Sequence, residues 1–535
     1  MKSLKLFFLA ALCLLAMAAT AQNQPQQSQS KGQMNSQKLA TTLYLIENFY
    51  VDTTNLDKVT ENAIVAALKE LDPHSAYISK KDVEKANEPL VGSFEGIGVT
   101  YQLIRDTITV ISPTAGGPSE KVGIMAGDQF IKIDGENAFG KKVDNEYVQK
   151  RLRGKKGTKV TVSVKRGNDK ELLDFEIIRD KIPLNSINAS YMLDKHVGYI
   201  KLDRFAHEST QEFKEAFTLL QAQGMESLIF DLRGNTGGYL NTAIDLVDQF
   251  LTENQLVVFT EGIHSPYQEW RCTKKGLYTS GKLIVLIDEG SASASEILSG
   301  AIQDHDRGIV IGRRSFGKGL VQRPFNLPDG SQIRLTTSRY HTPSGRCIQR
   351  PYEKGVEDYA KEMEKRLKHG EYFHADSIHF PDSLKYKTDG GRTVYGGGGI
   401  MPDLFIPVDT AYNSKLYTNL VRKGALNRFT TDYGLKHRDE IKAQYGDFEH
   451  FNKSFMVSSD LVNGLKKAAE EAKVEWNDEQ FAHSEKFLLL QMKALIARNV
   501  WETQEYYRVM ASEDAGVKKA LEILGNDKKY KQILK

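Results

Sequence analysis

Residues 282–288 read Lys-Leu-Ile-Val-Leu-Ile-Asp, an unbroken apolar run that leads directly into Glu-Gly-Ser-Ala-Ser-Ala-Ser-Glu. A half-exposed strand alternates apolar and polar residues, so a strand apolar at every position has both faces covered and belongs in the middle of a sheet. The flanking pattern agrees. Strands are expected at 197–205, 227–232, 308–312 and 332–341, with helices at 209–223, 239–251 and 293–305. Alternation of this kind predicts an α/β layer, a sheet covered by helices.

Upstream, residues 92–179 change character. Short β-rich segments at 97–103, 107–111, 129–133, 159–165 and 172–178 are separated by turns rich in Gly, Pro and Asp. A short helix with Pro118 in its first turn is expected between them. Residues 38–90 carry apolar groups at helical spacing (Leu43, Ile46, Phe49; Ile64, Leu68, Leu71) and end in the turn Asp72-Pro73-His74-Ser75. Residues 411–535 read as a helical C-terminal domain, and 351–393 as a charged excursion from the α/β layer.

The N-terminus has the form of a secretory leader. Lys2 and Lys5 precede an apolar run from 6 to 18, and Ala19-Thr20-Ala21 is a small-x-small cleavage pattern, so residues 1–21 are expected to be removed on export. The run is shorter than a membrane-spanning helix requires. Cys13 follows Leu12 inside the run, which argues against lipidation. Residues 22–37, rich in Gln, read as a flexible tether. Cys272 and Cys347 would remain after cleavage, too few for a disulfide framework. The net charge of +3, spread over mixed-sign residues, gives no footprint for nucleic acid or an anionic membrane.

Chemistry is concentrated between 290 and 322. Ser293 opens a helix after a buried strand, where free backbone N–H groups and the helix dipole stabilise an oxyanion. Ser293-Ala-Ser-Glu296 is equally a capping box. Lys318, between Gly317 and Gly319, becomes a base only if burial lowers its pKa from about 10.4. A Ser–Lys pair needs no histidine. Three other motifs overlap. Gly312-x-x-x-x-Gly317-Lys318 nearly spells a phosphate-binding loop but has Gly319 where Ser or Thr is needed. Ser315-x-x-Lys318 has the spacing of penicillin-recognising enzymes, without a later Lys-Thr-Gly. A triad of Ser293 with His305 fails because twelve residues of helix separate them by about 18 Å. No zinc pattern occurs, and no metal or other cofactor is expected.

With these residues in view, the chain resembles the carboxyl-terminal processing, or tail-specific, proteases of the S41 serine peptidases. The pieces that carry the likeness are Asp72-Pro73-His74-Ser75, Asp231-Leu-Arg-Gly-Asn-Thr-Gly-Gly238, 291–304 and 317–322. Residues 91–180 resemble a PDZ domain through Gly96-Ile97-Gly98-Val99, Ser112-Pro113 and 117–135. The resemblance implies a ClpP/crotonase-like α/β protease core over 181–410 beside the PDZ domain, with helical regions at either end. It implies Ser293 as nucleophile, chosen over Ser291 and Ser295, Lys318 as general base and Gln322 as its orienting partner. Gly237, Gly238 and Ala294 would form the oxyanion hole, with Glu296, Asp231 and Arg233 supporting the site. Gly234 and Thr236 stand where the family usually carries a second Asn or Pro. Backbone N–H groups at Gly96, Ile97, Gly98 and Val99 would capture a substrate's C-terminal carboxylate, with strand addition beside them. The implied activity is tail-directed cleavage of exported proteins, in the periplasm or on the outer side of the inner membrane. The resemblance leaves room for a lipoprotein adaptor and a homo-oligomer. A non-catalytic PDZ scaffold is the alternative.

Overall fold

The computed structural model describes residues 30–167 and 169–535. The expected leader, Cys13 and positions 22–29 lie outside them. Two compact units result, residues 1–71 and 72–535.

The described part of the first unit is two helices, Lys31–Phe49 and Leu56–Lys69. The first begins within the expected tether. Ser30 and Gln33 form a capping box there: the Gln33 N–H donates to Ser30 Oγ (3.3 Å), and the Ser30 N–H donates to Gln33 Oε1 (3.0 Å). Polar composition hid a well-capped helix start.

In the second unit, an antiparallel sheet orders its strands Val99–Ile104, Thr107–Pro113, Gln129–Ile133, Lys159–Lys165 and Leu173–Ile178. Lys159–Lys165 alternates buried Val160, Val162 and Val164 with outward residues, the period-two pattern visible in its sequence. The helix Asn145–Leu152, unforeseen in the sequence, packs Val148 and Leu152 onto this core after Asp144 caps it through the Tyr147 N–H (2.7 Å).

The central sheet runs Ile187–Met192, Val197–Leu202, Ser227–Asp231, Lys282–Ile287, Ile309–Gly312, Leu404–Phe405. All its pairs are parallel except the first. Leu283, Val285 and Ile287 face a core with Phe213, Leu246 and Leu298 from the helices Ser209–Ala222, Leu240–Val247 and Ala294–Asp304. Ile284 and Leu286 face the opposite way, onto Val517, Ala520, Ile523 and Leu524. That second cover comes from the end of the chain, the helices Ala515–Leu524 and Asp527–Ile533. The expected helical domain at 411–535 therefore divides. Helices between 415 and 510 build their own core around Leu420, Phe451, Leu465, Leu488 and Met492, while the last two helices close the central sheet. Tyr530 completes the seam, its hydroxyl accepting from the Leu283 N–H (3.0 Å).

A further antiparallel sheet centres on Gln332–His341, which pairs with Ala76–Ile78, Leu256–Gly262 and Leu320–Asn326. The hairpin Leu256–Gly262 with Ser265–Arg271 was not evident from sequence. The charged segment 351–393 packs against the loop that precedes Lys318. It forms the helices Val356–Ala360 and Glu362–Lys368, and its Arg366, 2% exposed, donates to Ser315 O (2.9 Å) and Arg314 O (2.8 Å). Burial of this guanidinium is offset by carbonyls and the Glu371 carboxylate that accept its N–H hydrogen bonds, which composition does not reveal.

Because Ile523 seals the second face of the sheet, Ile523→Ala is expected to cost about 2–4 kcal/mol in urea unfolding. Ile263→Ala, at a side chain 97% exposed, should stay within about 0.5 kcal/mol.

Candidate active site

Three serines compete in the turn after Lys282–Ile287, and their surroundings separate them. Ser291 Oγ donates to Leu232 O (2.8 Å) and accepts from the Asp288 N–H (3.0 Å). Ser295 Oγ donates to Asn235 O (2.8 Å). Both side chains are fully buried and hold the turn to the loop after Ser227–Asp231. Ser293 instead lines a cavity of about 1090 Å³, together with Lys318, Gly238, Ala294 and Gln322. Its backbone has φ +56°, a region non-glycine residues avoid and which persists only when neighbours impose it.

One neighbour that imposes it is Glu296. Its carboxylate is fully buried and accepts from the Ser293 N–H (2.8 Å), Gly317 N–H (2.7 Å), Lys318 N–H (2.9 Å) and Ser315 Oγ (2.5 Å). Burial pushes the Glu296 carboxyl up, and the four donors oppose that rise. The carboxylate thus ties the serine turn to the lysine loop. Tyr340 makes the same link from the opposite side, its hydroxyl donating to Lys318 O (2.6 Å) and Ser293 O (3.1 Å).

Lys318 reaches the cavity from the loop before Leu320–Asn326. Burial lowers its ammonium from the ordinary lysine value; Arg334 adds to this, while Glu296 and Asp72 work against it. Asp72 accepts from the His74 N–H (2.8 Å), Ser75 Oγ (2.6 Å) and Thr336 Oγ1 (3.0 Å). His74 is lowered to about 4, first by burial, then by the nearby Lys318 charge; its Nε2 lies 2.8 Å from the Tyr359 hydroxyl. Sequence showed Asp72 to Ser75 as a turn and as one piece of the family resemblance, but nothing local announces that it folds against a lysine so distant in the chain.

On the far wall, a Cβ added at Gly238 would lie 2.1 Å from Phe205 O, and one at Gly237 would lie 2.7 Å from Ala292 O. Only glycine permits so close an approach, of Gly237 to the serine turn and of Gly238 to the backbone at Phe205. Asp231 and Arg233 stand behind this wall. Burial would raise the Asp231 carboxyl, but Arg233 (2.6 Å) and Lys201 hold it well below the usual range. Arg233 continues to Asp514 (2.8 Å) in the C-terminal helices.

Residues 196–359 match the peptidase family S41, 96–177 a PDZ domain, and 416–502 a family of unknown function. The carboxy-terminal processing protease CtpB of Bacillus subtilis is 34% identical over 376 residues, covering 69% of this chain and 74% of that protein. The chain belongs to the S41 peptidases. A carboxy-terminal-processing protease of Bartonella bacilliformis is 36% identical over 304 residues, 56% of this chain and 69% of that one. Among solved structures, a photosystem II D1 C-terminal processing protease is 27% identical over 58% of this chain and 89% of its own, with a TM-score of 0.33. The protein is a serine peptidase of the carboxy-terminal processing kind, carrying a PDZ domain.

Within this S41 peptidase, the residues singled out in the sequence are not all brought together. Gln322 lines the cavity, but its amide donates to Leu320 O (3.3 Å) and Thr336 Oγ1 (3.4 Å); among the described residues it makes no hydrogen bond to Lys318. The Gly237 N–H is already given to Asn235 Oδ1 (2.8 Å), whereas the Gly238 and Ala294 N–H groups have no acceptor among the described residues. Asp231 and Arg233 act on the loop from behind and do not line the cavity. In the PDZ domain, Gly96 pairs with Asp180 in a strand ribbon, and Val99 pairs with Pro113. Ile97 O and Gly98 O accept from Ser119 (3.0 Å) and Thr114 (2.9 Å); the antiparallel bridge of Gly96 with Arg153 turns the Ile97 N–H to Leu152 O, while the Gly98 N–H has no acceptor among the described residues. Cys272 and Cys347 are unpaired.

These contacts separate the serines by stability. Ser291→Ala and Ser295→Ala each lose a buried hydrogen bond and should cost about 1–3 kcal/mol in chemical denaturation, with Ser293→Ala within about 0.5 kcal/mol of the parent. Glu296→Ala orphans several buried donors and should cost at least about 3 kcal/mol.

Proposed function

We propose that this chain is an exported endopeptidase that recognises C-terminal tails and cleaves with a Ser293–Lys318 dyad. The observation that carries the reading is that Ser293, alone among the three neighbouring serines, opens into a cavity shared with a lysine whose charge is disfavoured by burial. Neutral Lys318 Nζ takes the hydroxyl proton as Ser293 Oγ bonds to the scissile carbonyl carbon. The resulting oxyanion is met by the Gly238 and Ala294 N–H groups, which are the free donors on that wall. Collapse breaks the C–N bond, and the Lys318 proton goes to the leaving amine. Water, losing its proton to Lys318, then cleaves the acyl-enzyme and restores Ser293. Gln322 acts through the cavity wall rather than on the ammonium.

Tail capture rests on the free Gly98 N–H beside the edge strand Val99–Ile104. Export rests on the leader-like residues 1–21 and places the enzyme in the periplasm or at the outer face of the inner membrane. Secreted tails are then its substrates.

The test is hydrolysis of an unstructured protein with an apolar C-terminus. Ser293→Ala and Lys318→Ala should each lower kcat/KM by about a thousandfold or more. Equal cleavage by all three proteins removes the dyad. The pH profile has a definite sign. Burial favours the neutral amine, so the base is available at lower pH than for a free lysine, and kcat/KM should rise with pH to a plateau whose midpoint lies below 10.5. A midpoint at or above that value would exclude Lys318 as the base.

A further inference from the structure

A second cavity, about 1450 Å³, is larger than the one around Ser293. It has three walls. One is the PDZ strand Val99–Ile104 with the adjoining Thr114; another is the strand Ile187–Met192; the third is the helical region matched only by a family of unknown function. Both strands end their sheets, so each has a hydrogen-bonded neighbour on one side only. An edge strand offers backbone N–H and C=O groups to an extended chain, and here residues of two such strands line one space.

The third wall carries three cations, Arg438, Lys442 and Arg498, beside two carboxylates, Asp439 and Glu502. Arg438 gives its Nε to Val500 O (3.1 Å), and Arg498 gives one terminal nitrogen to Asn427 Oδ1 (2.8 Å). Lys442 is exposed, and its charge is disfavoured first by partial burial and then by Arg438. None of the three has an ion-pair partner among the described residues. Of the carboxylates around the cavity, Glu120 is occupied by the Gly116 N–H (2.7 Å), and Asp439 and Glu502 are exposed.

The cavity is placed between capture and cleavage. Thr114 donates to Gly98 O (2.9 Å), so one end adjoins the loop with the free Gly98 N–H. Leu184 and Asn185 line its other side, and there the Leu184 N–H donates to Gly92 O (2.8 Å) and the Asp203 N–H to Ser186 O (2.7 Å). Asp203 in turn lines the Ser293 cavity. The two linings are thus joined through the Asp203–Ser186 hydrogen bond, one residue from Asn185.

We propose that this cavity holds an extended, acidic stretch of substrate polypeptide, lying along the two strand edges with its carboxylates on Arg438, Lys442 and Arg498. The helical region 416–502 is then a specificity element of the peptidase. This rests on the tail-directed reading above and adds a sequence preference upstream of the captured terminus.

The test uses the full chain carrying Ser293→Ala and two fluorescent peptides with the same apolar C-terminus, one with Asp and Glu before it and one with Ser and Gln. Binding by anisotropy should favour the acidic peptide by about tenfold at low ionic strength, and the preference should shrink as salt screens it. Arg438→Glu with Lys442→Glu should bring the ratio to about one, with circular dichroism reporting the fold; Lys442→Gln, at an exposed position, should lower the ratio without endangering the fold. A ratio near one in the parent, or a ratio untouched by both variants, overturns the proposal. Cleavage of the Ser-and-Gln substrate by the unmodified enzyme, against Ser293→Ala, reports the tail-protease reading separately.

Discussion

The Glu296 carboxylate is where the turn bearing Ser293 and the loop bearing Lys318 become one object. It accepts from backbone N–H groups on both sides and from the Ser315 hydroxyl, in full burial. A buried carboxylate without partners is costly, so each donor is held in place by the group it satisfies. The positive φ of Ser293 persists because this carboxylate and the Tyr340 hydroxyl grip the turn from two directions. The site's geometry is therefore a consequence of polar satisfaction in a dry interior.

What surrounds that core is drawn from remote parts of the chain. Arg366, in the charged segment after residue 351, clamps the carbonyls of Arg314 and Ser315 just before the lysine loop. Arg233 ties the glycine wall to Asp514, and Tyr530 ties the strand entering the serine turn to the final helix. The central sheet needs two covers, and the chain supplies one from its middle and the other from its last helices. Damage far from Ser293 is thus transmitted through the sheet that aims it.

Legibility in the sequence followed the range of the interaction. The strand at 282–288 and the alternation at 159–165 were readable because apolar periodicity is local. The capping box Ser293 to Glu296 was readable too, yet its Glu296 does more than cap, since its other donors come from residues 315–318. The helix Asn145–Leu152 and the hairpin Leu256–Gly262 with Ser265–Arg271 escaped notice for lack of strong periodicity. Gln322 lines the Ser293 cavity, and its strand register carries its amide to Leu320 O and Thr336 Oγ1, a long-range outcome that its sequence neighbours do not reveal. His74 and Asp72 gave no sign of facing a lysine.

Residues 290–322 by themselves supplied candidate groups, a hydroxyl at a helix start and a lysine between glycines, since those depend on residue type and spacing. They did not determine which serine. Ser291, Ser293 and Ser295 are equivalent as letters, and only the fold spends two of them on the carbonyls of Leu232 and Asn235 while turning the third into the cavity. Burial of Lys318 was decided in the same way, by segments that meet in three dimensions. A pKa and a free hydroxyl are properties of surroundings, and surroundings are assembled by tertiary packing.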